Sequence, residues 1–131
     1  MQIVAFDFGT KKIGVAVGQT STYTSSPLQI ILSKDNKVNW NEIMILLNEW
    51  KPDLIIVGKP LNMDGTDSDI MKEVEKFYIK LKRNYVADFV YIDERLTTFE
   101  ARQILEEKNV EKVDANAAKI LIDNWFSLNK E

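Results

Sequence analysis

The sequence predicts an α/β domain built on a mixed five-stranded sheet, three antiparallel strands first, flanked by helices. Three observations carry that reading. The first 32 residues hold three short β-rich runs separated by turn residues. From Trp40 onward, helical apolar spacing alternates with short β-branched runs, and the final stretch from about Ala115 returns to helical spacing. The 131 residues, 45% hydrophobic and 28% charged, are ordinary proportions for one domain, 1–131, that buries a core without disulfides or structural metal.

Each element has its own signal. Ile3 to Phe8 is β-rich and alternating, Gly9 to Lys12 reads as a turn, and Ile13 to Val17 follows as the second strand of a hairpin. Gly14 inside that strand marks a bulge or a close backbone approach. A polar segment, Gln19 to Ser26, and then Pro27 precede a third strand, Leu28 to Leu32. Trp40, Ile43, Leu46, Leu47 and Trp50 recur at helical spacing until Pro52 stops them. Leu54 to Val57 is a continuous apolar run entering Gly58-Lys59-Pro60, as expected for a strand covered on both faces. Asp64-Gly65 is a turn, and Ile70, Val74, Phe77, Tyr78 and Leu81 form the buried stripe of a second helix. Phe89 to Ile92 is the fifth strand, ending in Asp93-Glu94-Arg95. Thr97 with Glu100 makes a capping box for a helix through about Lys108. A last helix, about Ala115 to Leu128, aligns Ala118, Leu121, Ile122 and Trp125.

Composition narrows the chemistry. Cysteine and histidine are both absent, which excludes disulfides, thiol nucleophiles, imidazole bases and Cys/His zinc sites. Carboxylates remain as the metal ligands, and oxygen-only sites suit magnesium or manganese. With 17 Lys+Arg against 20 Asp+Glu the net charge is -3, so any nucleic-acid site is a local patch rather than a basic surface. The strand-like run Gln2 to Phe6 has no basic segment before it, and no apolar run approaches the ~20 residues of a membrane span. The expected setting is the reducing cytoplasm, with no membrane partner.

In the first strand Asp7 shares a face with Ile3 and Ala5. It reads either as a turn aspartate bonding the backbone of Gly9 and Thr10 or as a metal ligand held on a rigid strand. Asp93 and Glu94 are adjacent, so they point to opposite faces if the strand continues that far, and at most one joins Asp7. Either could equally be a solvated strand end or a partner of Arg95. Asp114, just before the last helix, reads as a third ligand or simply as an N-cap.

Four segments occur in order: Phe6-Asp7-Phe8-Gly9-Thr10 with Ile13-Gly14-Val15-Ala16 behind it, Val57 to Gly65, Asp93-Glu94-Arg95-Leu96-Thr97-Thr98 with Glu100-Ala101, and Val113 to Ala118. In these the chain resembles, over essentially its whole length, the YqgF family of RNase H-like proteins described as pre-16S rRNA nucleases and as Holliday junction resolvase homologues. The resemblance implies a ribonuclease H-like fold, with the family's catalytic and metal-binding acids falling on Asp7, Glu94 and Asp114. It selects Glu94 over Asp93 by analogy. Lys59 stands where many members of that family have an apolar residue.

Three converging carboxylates need cations, because two unit charges about 4 Å apart repel by about 4 kcal/mol at an effective dielectric of 20. Two Mg2+ or Mn2+ ions would relieve this and supply the water activation that no histidine provides. Lys11, Lys12, Lys59, Arg95 and Arg102 lie near the expected active edge as candidates for holding phosphates. The expected function is a metal-dependent endonuclease acting on structured RNA, as in pre-16S rRNA processing during ribosome biogenesis, by a monomer or homodimer. The alternatives are a Holliday junction resolvase acting on branched DNA in recombination and repair, and a non-catalytic nucleic-acid or ribosome-associated scaffold. A nucleotide phosphotransferase, suggested by Asp7-Phe8-Gly9-Thr10, ranks last, since such enzymes close two domains around the nucleotide and this chain has length for one.

Overall fold

The computed structural model describes residues 1–60, 64–66, 68–94 and 115–129. Five strands, β1 (Gln2–Phe8), β2 (Lys12–Gln19), β3 (Thr24–Leu32), β4 (Leu54–Lys59) and β5 (Asp88–Asp93), form one sheet in the order β3-β2-β1-β4-β5. The first three are antiparallel neighbours. β4 runs parallel to β1, and β5 parallel to β4. Helices α1 (Trp40–Trp50) and α2 (Met71–Asn84) fall between β3 and β4 and between β4 and β5, and α3 (Ala115–Leu128) closes the described chain. The helix expected from Thr97 to about Lys108 lies outside the described residues.

The central strand has an apolar set on each face because each face is covered. Val4, Phe6 and Phe8 join Ile13, Val15, Ile55 and Val57 beneath α1 and α2, whose Ile43, Leu46, Leu47, Val74, Phe77 and Leu81 complete that layer. Phe77 is its hub, with ring centroids 5.4 Å from Phe6 and 5.2 Å from both Phe8 and Trp40. Truncating such a buried ring costs about 3–5 kcal/mol. On the other face Ile3, Ala5, Ala16, Leu54, Ile56 and Ile92 pack with Ala118, Leu121 and Ile122 of α3. Asp123 fastens α3 to the sheet by accepting from the Ser25 hydroxyl, and it pairs with Lys119 at 2.8 Å.

Local chemistry sets the element ends. Asn39 caps α1, its side-chain oxygen accepting from the Glu42 backbone N–H while its amide donates to the Glu42 carboxylate. The helix stops at Lys51, which takes the left-handed conformation at φ 48°, directly before Pro52. The third strand begins earlier than expected, at Thr24, and includes Pro27. Proline is accommodated because β3 is an edge strand and the ladder shifts register between Val15 and Ala16, which pair with Gln29 and Pro27 and leave Leu28 as the extra residue. Lys12, expected in the turn, is the first residue of β2.

Candidate active site

The carboxyl ends of β1, β4 and β5 share one edge of the sheet, and open sheets carry their ligands just outside such ends. The pairing of Phe6 with Val57 brings Asp7, one step on, level with Gly58, which itself pairs with Ile92. Asp7, Gly58 and Ile92 therefore stand side by side on the face covered by α3. Asp7 is only 5% exposed, and its Oδ2 is sealed from solvent.

Glu94 follows the end of β5 and turns back over β4. A Cβ built on Gly58 would stand 2.5 Å from Glu94 Oε1 and 3.1 Å from Leu121 Cδ1 of α3. The Glu94 carboxylate thus occupies the space left by the missing side chain of Gly58, on the same face as Asp7. Asp93 pairs with Lys59 and, by strand alternation, belongs to the opposite face with Tyr91. Of the two adjacent acids, Glu94 is the one whose carboxylate lies over Gly58, on the face that Asp7 shares. Asp114 lies outside the described residues, as do Arg95 and Arg102. Among the described residues no group of three acids is gathered.

The lysines divide between the two faces. Lys12 sits two residues before Gly14, the partner of Asp7, and so shares its face. Lys11 is exposed in the β1–β2 turn, where its carbonyl accepts from the Ser33 N–H. Lys59 reaches the same edge but on the opposite face, its Nζ 5.8 Å from the Tyr91 ring centroid. Gly58 was not singled out as a site residue by sequence reasoning, although a glycine ending a β-branched run is the usual mark of close approach.

A carboxylate buried on an interior strand and a second, on a flexible side chain over the neighbouring glycine, offer oxygen donors on one face of the edge, as a hard divalent cation requires. The family generally uses divalent metals. No described helix is long and apolar enough to cross a membrane.

A family model described as "RuvX: Holliday junction resolvase" matches residues 1–128. A protein of Pseudomonas fluorescens named "Putative pre-16S rRNA nuclease" is 43% identical over 134 residues, spanning 97% of this chain and 92% of its own. An Escherichia coli protein of the same name is 46% identical over 130 residues, spanning 95% of this chain and 94% of its own. Among solved structures, Thermus thermophilus RuvC in complex with Holliday junction substrate has a TM-score of 0.60 at 8% identity, with 97% of this chain and 93% of that one covered. The fowlpox virus resolvase bound to Holliday junction DNA has a TM-score of 0.50 at 16% identity, with 98% and 95% covered. At those identities the two structures share the fold, which is ribonuclease H-like. On the full-length match and the identity to its relatives, the chain belongs to the RuvX family, also called YqgF.

Proposed function

We propose that this chain is a metal-dependent endonuclease that hydrolyses phosphodiester bonds in structured nucleic acid, with precursor 16S rRNA as its substrate in the cytoplasm. The observation that carries the reading is the Glu94 carboxylate lying over Gly58, level with the buried Asp7 and on its face, at the carboxyl edge of the sheet. The name shared by relatives more than 40% identical to this chain supports the RNA substrate. The family description favours a second reading in which branched DNA is cut at a Holliday junction.

In this reading Asp7, Glu94 and, from beyond the described residues, Asp114 hold Mg2+ or Mn2+, two ions by the chemistry of such sites. When bound, the metal supplies water activation and stabilises charge on the leaving oxygen. Asp7 contributes a ligand whose position is fixed by an interior strand and whose burial keeps bulk water away. Glu94 contributes one free to adjust over Gly58. Lys12 and Lys11 orient the substrate phosphates beside them.

The test offers precursor 16S rRNA and a four-way DNA junction at equal salt, with Mg2+ or Mn2+, to the wild type and to Asp7→Asn. Cleavage of the RNA by the wild type and none by the variant is expected. Without metal, Asp7→Asn should melt no lower than the wild type, since removing one of two neighbouring like charges relieves repulsion. A strongly destabilised variant would make Asp7 a structural turn residue. Cleavage of the junction alone would select the second reading.

A further inference from the structure

On the opposite face from Asp7, at the same edge, a cleft of about 830 Å³ opens between the β3–α1 loop and α2. Phe8, Trp40 and Phe77 form its floor, and Thr10 of the β1–β2 turn stands at its side. Its charged walls are Lys37, Lys76 and Lys80 against one glutamate, Glu73. This balance is the reverse of the whole chain, whose net charge is -3. One of the cations is also positioned: Lys80 Nζ lies 4.8 Å from the Trp40 ring centroid, and the Trp40 ring is backed by Phe77. Glu73 is engaged with Lys76 at 3.5 Å, a pair exposed enough to exchange readily for a stronger anion.

We propose that this cleft binds the phosphates of a single-stranded segment flanking the cleavage site, so that the substrate strand crosses the β1–β2 turn from the Asp7 face and is gripped by Lys37, Lys76 and Lys80. The occupant follows from charge complementarity and from position. Phe8, in the cleft floor, is the chain neighbour of Asp7, and the exposed Lys11 follows Thr10, at the cleft's side, in the same turn. With one face of Trp40 under Lys80 and another contact to Phe77, the cleft reads phosphates rather than stacking a base, so RNA and DNA segments bind alike. The proposal rests on the nuclease reading and extends it to the substrate's shape: a junction between duplex and single strand.

The test measures binding by fluorescence anisotropy in the Asp7→Asn protein, with a blunt duplex and with the same duplex carrying a single-stranded RNA or DNA tail of ~12 nucleotides, within the range such grooves cover. The tail is expected to tighten binding about tenfold and to change Trp40 emission. Adding K37A, K76A and K80A together should abolish that gain and flatten the log-log salt slope by about 2, at ~0.7 for each lysine on a single strand. Blunt-duplex affinity should stay unchanged. Arginine at all three positions should retain the gain; its loss there would indicate altered packing and overturn the proposal. Equal tail binding by the alanine variant, or a gain with only one of the two tails, would also overturn it while leaving the nuclease reading intact. Failure of all probes to bind would overturn both.

Discussion

Gly58 is the residue on which the candidate site turns. Every other position facing α3 on β4 carries a bulky side chain, Leu54 and Ile56, and the vacancy at Gly58 is what lets Glu94 cross a neighbouring strand toward Asp7. Gly58→Ala inserts a methyl 2.5 Å from Glu94 Oε1, and the atom that must yield is the end of a flexible side chain. The fold should therefore tolerate the change, with alanine's better strand behaviour worth about 0.5–1 kcal/mol against the tighter approach to Leu121. Catalysis should not tolerate it, since a misplacement of about 1 Å in a reacting group costs on the order of 100-fold. Turnover and melting measured on the same preparation check this: near-normal stability with activity reduced about 100-fold is expected. Full activity would mean that Glu94 does not act from this position.

Among the elements, helix α1 and the parallel strands were legible because each has a local signal: helical apolar spacing from Trp40 until Pro52 stops it marks α1, and short β-rich apolar runs mark β4 and β5. The early start of β3 was not, because Pro27 argues against a strand unless the ladder is known to be bulged beside it at an open edge. Nor could alternation choose between Asp93 and Glu94, since that depends on where β5 stops and on the space above a different strand. The basic cleft was hidden for the same reason, its lysines standing on α2 and on a loop far away in sequence. On the α2-covered face of β5, Tyr91 stacks on Tyr78 with centroids 4.0 Å apart. Burial, with Tyr78 and then Glu75 adding to it, pushes the Tyr91 phenol up to about 12, and burial raises Tyr78 as well. Between about pH 10, where an unfolded tyrosine loses its proton, and about pH 12, the unfolded chain binds fewer protons than the folded one. Stability is thus fully present below about pH 10 and falls as pH rises through that window. Denaturation midpoints from about pH 9 to about pH 11.5 should decline for the wild type and less for Tyr91→Phe. Identical profiles would remove Tyr91 as the cause.

At the scale of the whole molecule, an acidic protein must hold a polyanion with few cations. The chain carries 17 Lys+Arg against 20 Asp+Glu, and on the face of Asp7 the described cations at the active edge are Lys12 and, at the turn, Lys11. On a blunt duplex, which has no single strand to place in the cleft, about three phosphate contacts correspond to a log-log salt slope near -3, at ~0.9 per contact. A slope of about -6 or steeper would require a broad basic surface, and a slope near zero would remove nucleic-acid binding and revive a scaffold role. The two faces of the sheet make the prediction sharper. Lys12 lies on the Asp7 face and Lys59 on the other, over Tyr91, although both stand at the same edge and look equivalent along the chain. Lys12→Glu should therefore weaken duplex binding and flatten the slope by about 1, whereas Lys59→Glu should leave both nearly unchanged. The opposite ranking would mean that the duplex approaches from the α1–α2 side, where it would compete with the single-stranded segment for the same lysines.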